Sequence, residues 1–438
     1  MVNVAIGTAV FLFLGLMGLP IFLSFCAGAV LAALLLGMTF NFIPSVTVSG
    51  IYIEPLLAIP CFIIAGELIL EGGTADALVN FVRNLAGRGK AGLGNVTVLA
   101  CAAFGAVSGS AVATVAAIGS VMVPKLIQYG YDKRYSTALI ASAGYIGILI
   151  PPSIPLIIYA AVTGESIARL FLASVGSGIL MTGTYIVVNH FMSKRWVQTG
   201  TEKSQESGGD KGLAEGKQTG WILAGVNVLP ALSLPVVVLG GIFSGIFTAT
   251  EASGISAVVA AVLGFGVYRG LKLNNTRNAL LRGAITASVI LILLGFARTI
   301  VRIFVLEGLP EWIAETATAI APTKFMVLLL VAIIFLLLGF FIDGNTNILI
   351  MTPLLMPLAK KMGIDPIHLG VVMNLGVGIG LITPPMCPTL FVAIRLTNLR
   401  VDEVVGPLLP FFFSALPIYA VITFVPEVSL WLPRVIMG

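Results

Sequence analysis

The sequence predicts an all-α polytopic membrane protein, with about ten transmembrane helices and two re-entrant hairpins laid out as an inverted repeat. Three observations predict it. The 438 residues are 58% hydrophobic and only 10% charged, with a mean hydropathy of +1.07, whereas a soluble domain carries about 25% charged residues. Apolar stretches of about 20 residues, the length that crosses a bilayer, recur from end to end. Finally, Pro-broken segments occupy corresponding places in the two halves of the chain.

The elements follow in order. Residues 3–17 and 20–38 read as two spans, and residues 39–57, with Pro44, Glu54 and Pro55, as an interfacial arm. Residues 58–82 form a span ending near Arg83, Arg88 and Lys90. Residues 92–124 are rich in Gly, Ala and Ser and are followed by Lys125, Lys133 and Arg134. Residues 136–163 are a span broken at Ile150–Pro155, and residues 167–192 are another span. Residues 193–219, dense in Lys, Glu, Gly and Ser, read as a flexible linker. Spans at 221–241 and 249–268 precede a basic arm holding Arg269, Lys272, Arg277 and Arg282. Residues 283–305 span again, 322–359 form the second hairpin, 367–395 are broken at Thr383–Pro388, and 405–432 close the chain.

Charge sets the orientation. With the basic loops and the linker on the cytoplasmic side, the loops flanking residues 92–124 lie on one side, so that segment enters and leaves by the same face. The same reasoning makes 322–359 a hairpin from the outside, and both termini periplasmic. The halves match at one constant offset. Pro124 pairs with Pro357, Asp132 with Asp365 and Gly147 with Gly380, while Pro151, Pro152 and Pro155 pair with Pro384, Pro385 and Pro388. Each half has an odd number of crossings, so the second is inverted. The first repeat occupies 1–192, with scaffold spans in 1–57 and the first hairpin and broken helix in 92–163. The second occupies 220–438, with scaffold spans in 220–282 and the second hairpin and broken helix in 322–396. Paired helix breaks at membrane depth cost backbone hydrogen bonds, and are kept where carbonyls and helix ends line a polar cavity. A duplicated channel or structural protein is the bland alternative to transport.

The segments that carry chemistry are the two hairpin turns and the two breaks. Gly105–Thr114 forms the first turn, where Ser108 and Ser110 supply hydroxyl oxygens, and it faces Gly147–Ser153. Prolines there leave carbonyls without helical donors, and such carbonyls can replace the water around a hard cation such as Na⁺. The alternative is a Pro kink packed by small residues. The second turn, Gly339–Asn347, faces Gly380–Met386. Asp343 is an acid in an apolar region, hence a functional candidate, with helix capping as its structural alternative. Arg298 and Arg302 lie in an apolar span. Arg298 could grip a substrate carboxylate bidentately, and Arg302 could snorkel or pair with Glu307. Glu251 reads as structural, and Asp132 and Asp365 as N-caps. His190 and His368 have no metal partner at useful spacing.

Several classes are disfavoured. The net charge of +5 sits in short loops and follows the positive-inside rule, not nucleic acid. The four cysteines (Cys26, Cys61, Cys101, Cys387) stand singly, with no metal or disulfide spacing. The apolar N-terminus reads as a first span, not a cleaved signal. No phosphate-binding Gly-rich loop, His-Glu-x-x-His motif or intramembrane protease signature occurs, so the chain is not read as an enzyme.

Over essentially its whole length the chain resembles the large permease subunit of tripartite ATP-independent periplasmic (TRAP) transporters, the DctM-like family. The most specific pieces are Gly240–Ala252, the Ser108-Gly109-Ser110 turn and the paired Pro-Pro breaks. The resemblance implies an elevator-type transporter, with a transport domain of hairpins and broken helices held by a scaffold. It implies two or more Na⁺ as coupling ions, near Ser108, Gly147, Ile150 and Ser153, and near Gly339, Gly380, Thr383 and Met386, several through backbone carbonyls. Ser110, Arg298, Asp343 and Asn345 are the substrate candidates. It also implies a small membrane subunit of about four spans, expected as a separate chain, and a periplasmic substrate-binding protein. It implies a small carboxylate substrate, such as a C4-dicarboxylate or sialic acid, and the bacterial inner membrane with its lipid as the location. A partner-independent carrier or antiporter with a similar plan is the alternative.

Overall fold

The computed structural model describes residues 6–73, 91–197 and 221–438, apart from scattered positions before residue 41 and Asp343 and Met386. Arg83, Arg88, Lys90 and most of the 193–219 linker lie outside the described residues. The described chain is helical almost throughout. Its helices are α1 (Ile21–Leu35), α2 (Phe42–Ile51), α3 (Ala58–Glu71), α4 (Gly92–Ser108), α5 (Ala111–Gln128), α6 (Lys133–Gly144), α7 (Ile154–Thr163), α8 (Ile167–Trp196) and α9 (Trp221–Phe243). The second half continues with α10 (Ala249–Val262), α11 (Leu273–Leu306), α12 (Leu309–Ile320), α13 (Lys324–Gly339), α14 (Gly344–Lys361), α15 (Pro366–Gly380), α16 (Pro388–Thr397), α17 (Val401–Phe424) and α18 (Pro426–Met437).

Local chemistry accounts for the helix ends. Asp132 accepts from the amides of Arg134 and Tyr135 at the start of α6, and Asp365 accepts from Ile367 and His368 at the start of α15. Each carboxylate satisfies donors that the first helical turn leaves open. Ser110, Ser166, Thr248 and Thr323 do the same for α5, α8, α10 and α13. Glu251 completes a capping box with Thr248, closing the two ends of the first helical turn on each other.

Among the described residues, five helices are long and apolar enough to cross a membrane alone: α5, α8, α10 with its continuation to Val267, α11 and α17. Two bent pairs raise the number to seven: α2 with Glu54–Glu71, bent by 67°, and α12 with α13, bent by 118°. Apolar segments such as α1, α4, α7, α15 and α16 have only 10–17 residues, because the turns and breaks cut them short.

Three boundaries also differ. The basic arm and the span at 283–305 form one 34-residue helix, α11, since nothing between Leu273 and Leu306 breaks it. The closing segment is divided at Val425-Pro426, where the ring removes a donor. Residues 193–196, assigned to the linker, complete α8. Helix α12 went unrecognised because it is short and follows a left-handed Gly308.

Polar links tie the elements together. Asn189 of α8 donates to the Ala91 carbonyl and to Asn95 Oδ1 (3.0 and 2.7 Å) and accepts from the Tyr135 hydroxyl at 3.0 Å. It thus pins α4 and α6 to α8. Arg282 of α11 spans Glu67 and Glu71 of α3 at 3.0 and 2.6 Å. The helices after the breaks are exchanged between halves. Helix α7 packs on α14, while α16 packs on α5 and α6.

Candidate functional site

At the first turn, Gly109 adopts φ +62°, and a side chain there would meet the Pro152 carbonyl oxygen at 2.6 Å. The turn thus lies directly on the break, and the Ile154 amide donates to the Gly109 carbonyl at 3.4 Å. A Cβ added to Gly105 would overlap Cα of Gly147. Gly147 in turn faces Thr114 Oγ1 at 2.5 Å and the Ser110 carbonyl at 3.3 Å, measured from an added Cβ. Glycine is required on both sides because backbone meets backbone.

Oxygen atoms collect at this contact. Ser108 is buried, with its hydroxyl 3.2 Å from that of Thr114, which donates to the Ser110 carbonyl at 2.8 Å. Ser110 caps α5 through Ala113. Between Gly144 and Ile154 the chain passes through a 3₁₀ turn (Tyr145–Ile148) and a cis Pro151-Pro152 bond. Ser153, fully buried, has a hydroxyl with no hydrogen-bond partner among the described residues. Ile150 is half-buried, its side chain against Gly178. Ser108, Ser110, Gly147 and the Pro152–Ser153 stretch are therefore brought together, as their sequence positions suggest.

The second turn repeats the plan. A Cβ on Gly339 would meet Cα of Gly380 at 2.9 Å, and Pro384-Pro385 is again cis. Thr383 donates to the Ile379 carbonyl at 3.0 Å, and Thr389 to that of Leu381 at 2.8 Å. Asn345 is half-buried, while Asn347 is fully enclosed. Asp343 and Met386 lie outside the described residues.

Arg298 is placed elsewhere. Its hydrocarbon stem lies on Gly50 of α2, where an added Cβ would touch Cδ at 2.9 Å, and among the described residues it forms no ion pair. Sequence reasoning missed Asn374. Its amide crosses from α15 to the Ile148 carbonyl at 2.8 Å, and its Oδ1 is buried and unpaired. The signal was a lone amide in an apolar run. Among the described residues no three His, Cys, Asp or Glu side chains could hold a metal together. Among the described residues, the polar atoms at both turns are neutral hydroxyl, amide and carbonyl groups, a donor set unlike that of a tightly bound transition metal.

Broken helices, meeting back to back with small-residue turns in an all-helical apolar chain, define a polytopic membrane protein of the transporter type. Comparison with known proteins makes this specific. The family model for the tripartite ATP-independent periplasmic transporter DctM component matches residues 5–428, and the chain belongs to that family. It is 35% identical over 379 residues to a C4-dicarboxylate TRAP transporter large permease protein of Pseudomonas aeruginosa, covering 86% of each chain. It is 31% identical over 433 residues to a sialic acid TRAP transporter large permease protein of Vibrio cholerae, covering 98% of this chain and 99% of that one. A 2,3-diketo-L-gulonate large permease protein of Escherichia coli is 32% identical over 426 residues, with 96% and 97% covered. Among solved structures, the Alcanivorax borkumensis YdaH transporter shares the fold, with a TM-score of 0.61 at 14% identity over 90% of this chain and 89% of that one.

Proposed function

We propose that the chain is the large membrane subunit of a Na⁺-coupled secondary transporter that imports a small organic acid through an elevator-type movement. The observation that carries this reading is the close glycine contact between each hairpin turn and its cis-proline break. A helix interrupted at membrane depth, with its free carbonyls beside hydroxyl-bearing turns, offers oxygen ligands that a neutral packing kink does not need. Ser108, Gly147, Ile150 and Ser153 form the first candidate Na⁺ site, and Gly339, Gly380, Thr383 and Met386 the second. The orphaned Ser153 hydroxyl supports the first. Ser110, Asp343 and Asn345 at the turns and Arg298 on α11 are the candidate substrate contacts.

In this reading the hairpins and broken helices of 92–163 and 322–396 move together against the spans of 1–57 and 220–282. The exchange of α7 and α16 between halves supports such a unit, because neither half can move alone. Partners are a small four-span subunit and a periplasmic binding protein. A relative in Oleidesulfovibrio alaskensis, an isethionate permease protein DctMQ, is 31% identical, and this chain covers 64% of its length. The relatives' names span carboxylates and a sulfonate, so the binding protein is the natural source of selectivity. The site of action is the bacterial inner membrane, with both termini periplasmic.

The test is uptake of radiolabelled succinate and sialic acid into proteoliposomes holding the large subunit, the small subunit and the binding protein, under an inward Na⁺ gradient. Na⁺-dependent uptake that vanishes without the binding protein supports the reading. Uptake by the large subunit alone, or uptake indifferent to Na⁺, points to a partner-independent carrier.

A further inference from the structure

A partly open space of about 290 Å³ lies between the N-terminal segment and α1 on one side, α11 and α12 on another, and the start of α14 on the third. Its walls are hydrocarbon. Phe25 and Ala32 of α1, Ile303 and Phe304 of α11, and Met351 and Leu354 of α14 represent them. One side chain breaks the pattern. Asn347 lines the space, is 1% exposed, and neither its Oδ1 nor its Nδ2 has a hydrogen-bond partner among the described residues.

A buried primary amide with both ends unmet is costly, because donor and acceptor have left water without replacement. Water is a poor remedy, since a buried water takes two to four polar partners and an apolar cavity of this kind stays dry. Asn347 is the sole polar side chain among the described residues lining the space. The complement of a primary amide is a group that accepts from Nδ2 and donates to Oδ1 side by side. A neutral carboxyl does so, its carbonyl accepting and its hydroxyl donating. A carboxylate anion cannot, since it has no donor for Oδ1 and would carry an uncompensated charge into hydrocarbon. The remaining walls call for an apolar body, and the volume admits an acyl chain of roughly ten carbons, at the small end of ligand pockets.

We propose that this space is a binding site for a single acyl chain ending in a neutral carboxyl or carboxamide group, with that group paired to Asn347. The proposal rests on the packing of α1, α11 and α14 and not on the transport reading, so its test needs no transport.

The experiment uses the full chain in lipid nanodiscs and decanamide bearing a terminal diazirine, whose headgroup stays neutral at every pH. After irradiation, adducts are mapped by mass spectrometry. The expected result is labelling of peptides from α1, α11 and α14 that excess decanamide displaces and excess decane does not. In Asn347→Leu, which removes the unmet amide and so should fold at least as well, this displaceable labelling falls tenfold or more. In Met351→Trp, which fills the space, it is lost. Labelling that decane displaces equally, or that is unchanged in both variants, shows bilayer partitioning and overturns the proposal.

Discussion

The side-chain amide of Asn374 donates to the main-chain carbonyl of Ile148 across 2.8 Å, although 226 residues separate them. This bond joins the helix before the second break to the 3₁₀ turn that opens the first. Both partners are buried. The carbonyl is free to accept because Pro152, four residues on, has no N–H to offer it. The two breaks are therefore mechanically linked through one side chain.

Replacing Asn374 by Leu should lower the unfolding free energy by about 1–3 kcal/mol, the cost of a buried carbonyl left unmet. Thermal unfolding of the purified chain in detergent measures it. A variant as stable as the parent would show that another donor reaches Ile148.

The glycine contacts make a sharper forecast. Ala at Gly105, Gly339 or Gly380 sets a methyl group directly against backbone of the facing segment, and at Gly147 sets it against the Thr114 hydroxyl with backbone of Gly105 and Ser110 at 3.3 Å. Flexible side chains can yield to such a group, but paired backbones cannot, so each substitution should cost at least about 1–3 kcal/mol. Gly254→Ala in α10 is the matched control, because nothing lies within 4 Å of its added Cβ. There the substitution should be neutral or stabilising by up to about 1 kcal/mol through helix propensity. Equal effects at Gly254 and Gly105 would refute the close-contact account. Expression level and thermal midpoint of the five variants decide it.

Asp132 and Asp365 hold equivalent positions at α6 and α15, each accepting from two amides of the first turn. Loss of such a cap costs about 1 kcal/mol. Asp132→Ala and Asp365→Ala should each lower stability by about that amount. The caps share no partner, so the double variant should show the sum to within about 0.5 kcal/mol. Chemical denaturation of the three variants tests both the size and the additivity.

These residues also show where the sequence was legible. Both Asp caps, both Pro-Pro breaks and the Ser108–Ser110 turn were readable because each acts locally. Proline removes a donor wherever it stands, and Asp before a helix caps it. Asn374 was not readable, since its role depends on a carbonyl in the other half of the chain, and nothing near it in sequence signals that partner. Arg298 was readable as an oddity but not in its placement. Its stem fits α2 only because Gly50 has no side chain. The long α11 was obscured by its basic first half, which resembles a loop by charge but forms a continuous helix.

Ser153 separates a structural site from an ion site. Its hydroxyl is fully buried and unpaired. If it served packing alone, Ser153→Ala would be neutral or slightly stabilising, because an unmet polar atom disappears. If it is a Na⁺ ligand, the same gain should appear in K⁺ medium, yet the extra stabilisation conferred by Na⁺ should shrink. Ligand linkage sets the scale, since a tenfold weaker site loses about 1.4 kcal/mol of stabilisation at saturating ion. The measurement is the thermal midpoint of parent and variant across a Na⁺ titration at constant ionic strength. The expected outcome is a variant at least as stable as the parent in K⁺ and several-fold less responsive to Na⁺. Identical Na⁺ responses would remove Ser153 from the candidate site and leave its buried hydroxyl as a packing feature of the break.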